Sequence, residues 1–240
     1  MKNEKSKFLV PQCLSALAPS KKSAFTLAEV LITLAIIGVV AAMTIPTLIA
    51  KYDKKFTETS LIKFHSIMNN AIQLSSIDNG PSSAWAHVNS EKDEDGNYLY
   101  DKYLENDAFA EKYLLPYLKI VDKKQTKWGN DDIILYYFAD GSSFAFTTHS
   151  SKDVYFFPKN GENCLAKGTA IAGKCAFAFK LSSEFDGLKV YAYSWDGVRD
   201  SLFSAGAGMG CKNNGGMYCT KLIEINNWKI PEDYPVEISY

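Results

Sequence analysis

The sequence predicts an α+β fold in which a long amino-terminal helix precedes an antiparallel β-sheet head. An apolar run that continues into an amphipathic stripe covers residues 25–78, and it predicts the helix. From residue 132 onward, β-branched and aromatic segments alternate with Asn-Gly and Asp-Gly turns, which predicts the sheet. Aromatic residues make up 13% of the 240-residue chain, which fits a packed head rather than a disordered one.

The first element is an apolar segment long enough to cross a membrane. Val30 to Ala50 supplies about 20 residues without a charge, as a membrane-spanning helix requires. Lys21-Lys22 precedes the run, and Glu29 is an acid at its edge, which is costly in lipid unless a cation is supplied. If the chain were cut between Ala24 and Phe25, the new amino terminus would lie about one helical turn from Glu29. That terminus could pair with the carboxylate of a neighbouring copy.

The helix is predicted to continue beyond the apolar run as an amphipathic helix. Pro46 lies inside it and must bend or loosen it, because proline removes a backbone donor. The breaker cluster Asp78-Asn79-Gly80-Pro81 predicts its end. Apolar residues recur three to five positions apart along most of residues 51–76: Tyr52, Phe56, Leu61, Phe64, Met68, Ile72 and Leu74. We expect this stripe to pack on the head.

Residues 82–106 are predicted to form a polar loop. Asp93, Asp95, Asn97 and Asp101 could supply oxygen ligands to calcium, but the EF-hand register is absent, so a solvated turn is favoured. A short helix is predicted over Ala108–Tyr113, with Asp107 as its cap and Pro116 beyond it.

A hairpin is predicted next, with strands at residues 133–139 and 142–147 and a type I′ turn at Asp140-Gly141. Further strands are predicted at residues 154–157, 175–181 and 188–193. Leu222–Ile225 is predicted as an edge strand.

The amino-terminal segment resembles the class III signal of type IV pilins and type II secretion pseudopilins. In that family a basic leader ends in a small residue, here Ala24, and the mature chain begins with Phe25. Glu29 then falls fifth from the cut, and Pro46 stands where the family often carries a proline. The family usually has glycine before the cut, so Ala24 is a departure. The match covers about the first quarter of the chain.

This resemblance implies a set of functional expectations. Prepilin peptidase/methyltransferase would remove residues 1–24 and methylate Phe25. Residues 25–50 would form the transmembrane and assembly helix, residues 51–78 its amphipathic continuation, and residues 79–240 the head. The protein would be stored as a single-pass protein of the bacterial inner membrane, with its head in the periplasm. It would then assemble with other pilin or pseudopilin subunits into a filament, and whether that filament is a pilus, a secretion pseudopilus or a competence filament stays open.

Two other interpretations of the amino-terminal segment account for fewer of its features. An ordinary secretory signal cut after Ala41 or Ala42 would place Glu29 inside its apolar core, which argues against it. A simple membrane anchor leaves Glu29 unexplained. For the whole protein, the main alternative to a filament subunit is a monomeric, inner-membrane-anchored periplasmic binding module.

The cysteines indicate an oxidising compartment for the head. Cys13 lies in the leader, and four cysteines lie in the last third of the chain: Cys164, Cys175, Cys211 and Cys219. An even number in an exported domain predicts two disulfides, for which three pairings are possible. The local pairing of Cys164 with Cys175 and of Cys211 with Cys219 is preferred, because each bond would close a loop rich in glycine or asparagine. No histidine lies near these cysteines in sequence, so a zinc site is not expected.

Neither catalysis nor nucleic-acid binding is predicted. The isolated histidines at positions 65, 87 and 149 form no metal or nucleophile motif, and the glycine-rich stretch 206–210 lacks the strand and helix of a phosphate-binding loop. No enzyme activity and no cofactor are therefore expected. The formal net charge is −1, and the leader carries five lysines and one glutamate, so its removal would leave the mature chain near −5. An acidic chain has no general attraction for nucleic acid.

Overall fold

The computed structural model describes residues 25–168, 171–206, 208–212 and 216–240. The predicted leader, with Ala24 and Cys13, lies outside these residues. The chain divides into two units, Met1–Pro46 and Thr47–Tyr240, and each is described by itself below.

Helix α1 spans Leu27–Asn79 and contains Pro46, as predicted. Gly80 follows it with a φ of 74°, a left-handed conformation that commonly ends helices and that glycine adopts without steric cost. In the second unit, the buried positions of α1 recur three or four residues apart: Thr57, Leu61, Phe64, Met68, Ala71, Ile72 and Ser75. This spacing places them on one face of the helix, which is the face that packs on the sheet.

In the described residues, six antiparallel strands form one sheet in the order β1-β2-β3-β4-β5-β6, so each strand pairs with its neighbours in sequence. The strands are β1 Ile120–Trp128, β2 Asp131–Phe138, β3 Ser143–Thr147, β4 Ser150–Phe157, β5 Phe177–Ser182 and β6 Phe185–Val190. The predicted α+β class, with a long helix packed on an antiparallel sheet, is confirmed.

The sheet is covered on both faces, which explains why its central strands are apolar at consecutive positions. On β4, Val154 and Phe156 belong to the core beneath α1, and Tyr155 and Phe157 belong to a second core on the opposite face. The ring of Phe64 on α1 stacks on Phe156 with a centroid distance of 4.2 Å. Because side chains alternate along a strand, a sheet covered on both faces requires apolar residues at both registers.

Short helices complete the second unit. They are α2 Tyr103–Tyr113, α3 Gly161–Ala166, α4 Ser201–Ser204 and α5 Cys219–Ile225, with single 3₁₀ turns at Ser82–Ala84 and Leu115–Tyr117. Helices α3 and α5 contribute Leu165 and Leu222 to the second core.

The predicted edge strand at Leu222–Ile225 is wrong, since these residues lie in α5. Cys219, Leu222 and Ile223 are all buried, and their spacing of three and four residues is helical. A four-residue apolar segment cannot by itself distinguish a strand from a short helix.

The predicted Asp107 cap is also wrong, because α2 already begins at Tyr103. The Asp107 carboxylate instead accepts hydrogen bonds from the Tyr136 hydroxyl at 2.9 Å and from Lys123 Nζ at 2.8 Å. It therefore ties α2 to strands β1 and β2.

The turn between β2 and β3 differs from the predicted type I′. Gly141 has a φ of 82°, but Asp140 is not in the left-handed region that a type I′ turn requires at both central positions. The Gly141 N–H donates to the Phe138 carbonyl at 3.0 Å, and Asp140 Oδ1 accepts from the Ser142 N–H at 3.0 Å. Since β2 ends at Phe138 and β3 begins at Ser143, four residues connect the strands rather than the two predicted, and the Asp140 side chain stabilises this loop.

Candidate assembly site

The amino-terminal end of α1 is organised by Thr26 and Glu29. The Thr26 carbonyl accepts a hydrogen bond from the Val30 N–H at 3.2 Å, which makes Thr26 the cap of the helix. The Thr26 N–H and hydroxyl both donate to Glu29 Oε2 at 2.8 Å, and the Glu29 N–H donates to Thr26 Oγ1 at 3.2 Å. These reciprocal bonds form a capping box.

This role of Thr26 was not predicted from the sequence. A threonine followed three residues later by glutamate, just before an apolar run, is the signal that could have revealed it. Glu29 therefore has a local structural partner within its own chain. Within the described residues, all of its side-chain hydrogen bonds fall on Oε2, so Oε1 is open to a further donor.

The first unit exposes its apolar side chains around the whole helix. Phe25 is 85% exposed, and the described residues from Phe25 to Pro46 are all exposed except half-exposed Ala41. Among the described residues, α1 is the one helix long and apolar enough to span a membrane, judged by length and composition. An exposed apolar surface of this extent is unfavourable in water and is typical of a site of membrane or protein interaction.

Two disulfides lie together in the second core. Cys164 of α3 is bonded to Cys175, and Cys211 is bonded to Cys219 at the start of α5. These are the two local pairings that the sequence analysis preferred. Gly173 lies directly against the Cys219 side chain, where a Cβ atom would clash, and its φ is 84°. The loop closed by the first disulfide is therefore packed against the second.

The histidines occupy separate packing sites in the head. His65 lies 5.1 Å from Trp228, His87 lies 5.1 Å from Phe109, and His149 lies 5.2 Å from Tyr98, measured between ring centroids. Burial lowers the pKa of each imidazole, so all three are neutral at pH 7.

Within the described part of the chain, no group of three or more His, Cys, Asp or Glu side chains could hold a metal ion.

The predicted solvated turn at residues 93–97 is held by its own side chains. Asp93 Oδ1 accepts the N–H groups of Asp95 at 3.0 Å and Asn97 at 2.8 Å.

The second unit matches the model of a known protein family. A model for a Family of unknown function (DUF6613) matches residues 47–238, which is most of the chain. The chain belongs to this family. The DUF6613 match begins at Thr47, where the second structural unit also begins.

A second model, for the prokaryotic N-terminal methylation motif, matches residues 19–45 of this DUF6613 protein. This match confirms the resemblance to type IV pilin-like and pseudopilin proteins. No curated protein and no solved structure matches the chain. The motif suggests a substrate of prepilin peptidase, and the motif together with the sheet head suggests a structural rather than a catalytic protein. The long apolar helix is consistent with a single-pass membrane anchor.

Proposed function

We propose that this protein is a structural subunit of a type IV pilus or a type II secretion pseudopilus. Prepilin peptidase cleaves between Ala24 and Phe25, and the new amino terminus is methylated. Three features that fall together within residues 19–46 carry the proposal. They are the methylation motif, a helix with apolar side chains exposed all round, and a carboxylate in the first turn of that helix.

Glu29 is the residue through which subunits are aligned. Thr26 occupies one oxygen of the carboxylate, and the other can accept the Phe25 ammonium of a neighbouring subunit. When helices leave lipid for a shared bundle, an unpaired charge is costly, so a neighbour placed out of register is disfavoured. Residues 25–50 thus serve first as the membrane segment and then as the assembly helix.

The head, residues 79–240, lies on the periplasmic side. Two disulfides fit an oxidising compartment, and the lysines of residues 1–24 fit a leader retained in the cytoplasm. The continuation of α1 over residues 51–78 connects the membrane segment to the head in the chain.

Processing is tested by mass spectrometry of the protein purified from native membranes. The expected mature chain begins at N-methylated Phe25, and Ala24→Glu blocks cleavage because a bulky charge occupies the scissile position. Ser23→Ala is the matched control in the leader and is expected to be cleaved normally. A native chain that begins at Met1, or after Ala42, contradicts the proposal.

Assembly is tested by comparing the sheared-filament yield with the abundance of the protein in the membrane fraction. Glu29→Leu is expected to insert normally, since a charge leaves the apolar segment, and to lose most of the filament yield. Thr33→Leu is the matched control, because it also replaces a polar side chain of the same segment by leucine. If Glu29→Leu changes neither quantity, the monomeric, anchored binding module becomes the better interpretation.

A further inference from the structure

A hollow of about 200 Å³ lies in the head between α1 and the β2–β3 turn. Helix α1 borders it with Ser60, Lys63, Phe64 and Ile67, which follow the helical spacing of a single face. The small side chains of Ser60 and Ala139 leave the space unfilled.

The interior of the hollow is aromatic. Phe64, Phe138 and Phe156 line it, and the Phe64 ring lies 4.2 Å from Phe156 and 6.3 Å from Phe138 between centroids. Apolar cavities of about 150 Å³ bind benzene-sized molecules, so this volume suits one ring or a short alkyl chain.

The rim carries charge. Lys63 Nζ and Asp140 Oδ2 form an ion pair at 2.6 Å that joins the helix to the turn. Partial burial raises the pKa of Asp140, but the hydrogen bonds from Lys63 and Ser142 outweigh it and lower the pKa overall. Asp140 is therefore ionised at pH 7 and neutralises Lys63.

Lys119 is the remaining charged side chain at the rim, and it is exposed. Among the described residues it has no ion-pair partner within 4.0 Å. The hollow thus combines an aromatic interior with one uncompensated positive charge at its mouth.

We propose that this hollow binds a small, soluble amphiphilic monoanion, namely a carboxylate that carries an aromatic ring or a short alkyl chain. The ring or chain packs on Phe64, Phe138 and Phe156, and the carboxylate pairs with Lys119. A neutral apolar molecule would leave Lys119 without a counterion, and a cationic one would be repelled by it. The site lies wholly within the second unit, so the proposal holds whether the protein assembles into filaments or remains monomeric.

Binding is tested with phenylacetate, phenylacetamide and phenethylamine, three probes that share a ring but differ in charge. The full mature protein in zwitterionic lipid nanodiscs is labelled at isoleucine methyl groups, and each probe is titrated by NMR. We expect a saturable shift of the Ile67 methyl signal, with Ile225 on α5 as the unshifted reference. Phenylacetate is expected to bind about two- to five-fold more tightly than the amide, as for an exposed charge pair, and the amine most weakly.

Two variants locate the site. Ser60→Phe is expected to fill the hollow and abolish the Ile67 shift, with unchanged signals elsewhere showing that it folds. Lys119→Gln, a surface change, is expected to remove the preference for the anion over the amide, whereas Lys54→Gln on exposed α1 surface keeps it.

Three results with the probes would overturn the proposal, and a fourth concerns the lipid. The three are the absence of a saturable Ile67 shift with any probe, a shift that persists in folded Ser60→Phe, and an anion preference that survives Lys119→Gln. A shift caused equally by the nanodisc lipid alone would assign the hollow to an acyl chain and also contradict a soluble ligand.

Discussion

Helix α1 contains two stretches, residues 27–46 and residues 47–79, that differ in the burial of their apolar side chains. Over the first stretch, leucine, isoleucine and valine are exposed on every side. Over the second, a buried face begins at Thr57, and Leu61, Phe64 and Met68 on it are at most 2% exposed. Apolar side chains off this face remain exposed, among them Leu48, Ile49 and Ile77. Composition alone therefore does not place a residue in a core. The second stretch has a sheet to pack on, whereas the first depends on lipid or on other subunits for the same effect.

The strongest test of this contrast replaces one large apolar residue in each stretch. Phe64→Ala is expected to lower the free energy of unfolding of the head by about 3–5 kcal/mol, because it removes a buried ring stacked on Phe156. Ile37→Ala, in the exposed stretch, is expected to leave it unchanged. Urea unfolding followed by tryptophan fluorescence measures the head alone, since the four tryptophans are at positions 85, 128, 195 and 228. Equal losses for both variants would contradict the division into two units.

Some elements of the fold could be predicted from the sequence, and others could not. The apolar run and the stripe predicted α1, because a repeat of three to four residues is specific to a helix. The stripe is buried as predicted at Leu61, Phe64, Met68 and Ile72. It is wrong at Tyr52 and Leu74, which are 60% and 52% exposed. Strand β1 was not predicted, since it is rich in lysine and mostly exposed, and its place is fixed by pairing with β2. Such non-local pairing leaves little signal in the strand itself.

The two candidate sites also differ in how much of each could be predicted from the sequence. Glu29 could be singled out because a charge in an apolar run is conspicuous, but its bonds to Thr26 required the geometry. The hollow beside Ser60 and Lys119 had no sequence signal, because its walls come from segments far apart in the chain.

The second prediction concerns the second core of the head, which the disulfides reinforce. Replacing Cys211 and Cys219 together by alanine is expected to lower the free energy of unfolding by about 2–3 kcal/mol, since the bond restricts the unfolded chain. Cys13→Ala in the leader is the matched control and should have no effect on the mature protein. Non-reducing peptide mapping of the wild type should link Cys164 to Cys175 and Cys211 to Cys219. Free thiols at all four positions would place the head in a reducing compartment.

The third prediction concerns a buried carboxylate of the head, that of Asp153. Burial raises the pKa of Asp153 to about 6, although Lys180 and Lys152 partly offset this effect. The folded state therefore binds the proton more tightly than the unfolded state, whose pKa is about 3.9. Stability is lost as the pH rises from about 4 to about 6, and the full penalty is present above that window.

Asp153→Asn is accordingly expected to be more stable than the wild type at pH 7.5, by up to about 2 kcal/mol, and equal to it near pH 4. Asp186→Asn is the control, and it is expected to change the stability in the opposite direction. The Asp186 carboxylate accepts the Ser83 N–H at 2.9 Å, which lowers its pKa, so its loss should destabilise the head at neutral pH. The urea midpoints of both variants and of the wild type, taken at pH 4, 6 and 7.5, measure these changes in stability. A difference between Asp153→Asn and the wild type that does not vary with pH would contradict the role assigned to Asp153.

The smallest expected effect separates the two roles of Glu29, as a capping residue and as a partner for a neighbouring subunit. Thr26→Val removes the hydroxyl from the capping box, at a cost of about 1 kcal/mol confined to the helix end, but it keeps the carboxylate. Glu29→Leu removes both the cap and the carboxylate. If Glu29 serves only the cap, the two variants lose filament yield to the same small extent, and the double variant loses no more. If Glu29 pairs with the Phe25 amine of a neighbour, Thr26→Val keeps at least half of the wild-type yield while Glu29→Leu loses most of it. Because Thr26 also lies next to the proposed cleavage site, the amino terminus of each variant is determined first, and only correctly processed protein is compared.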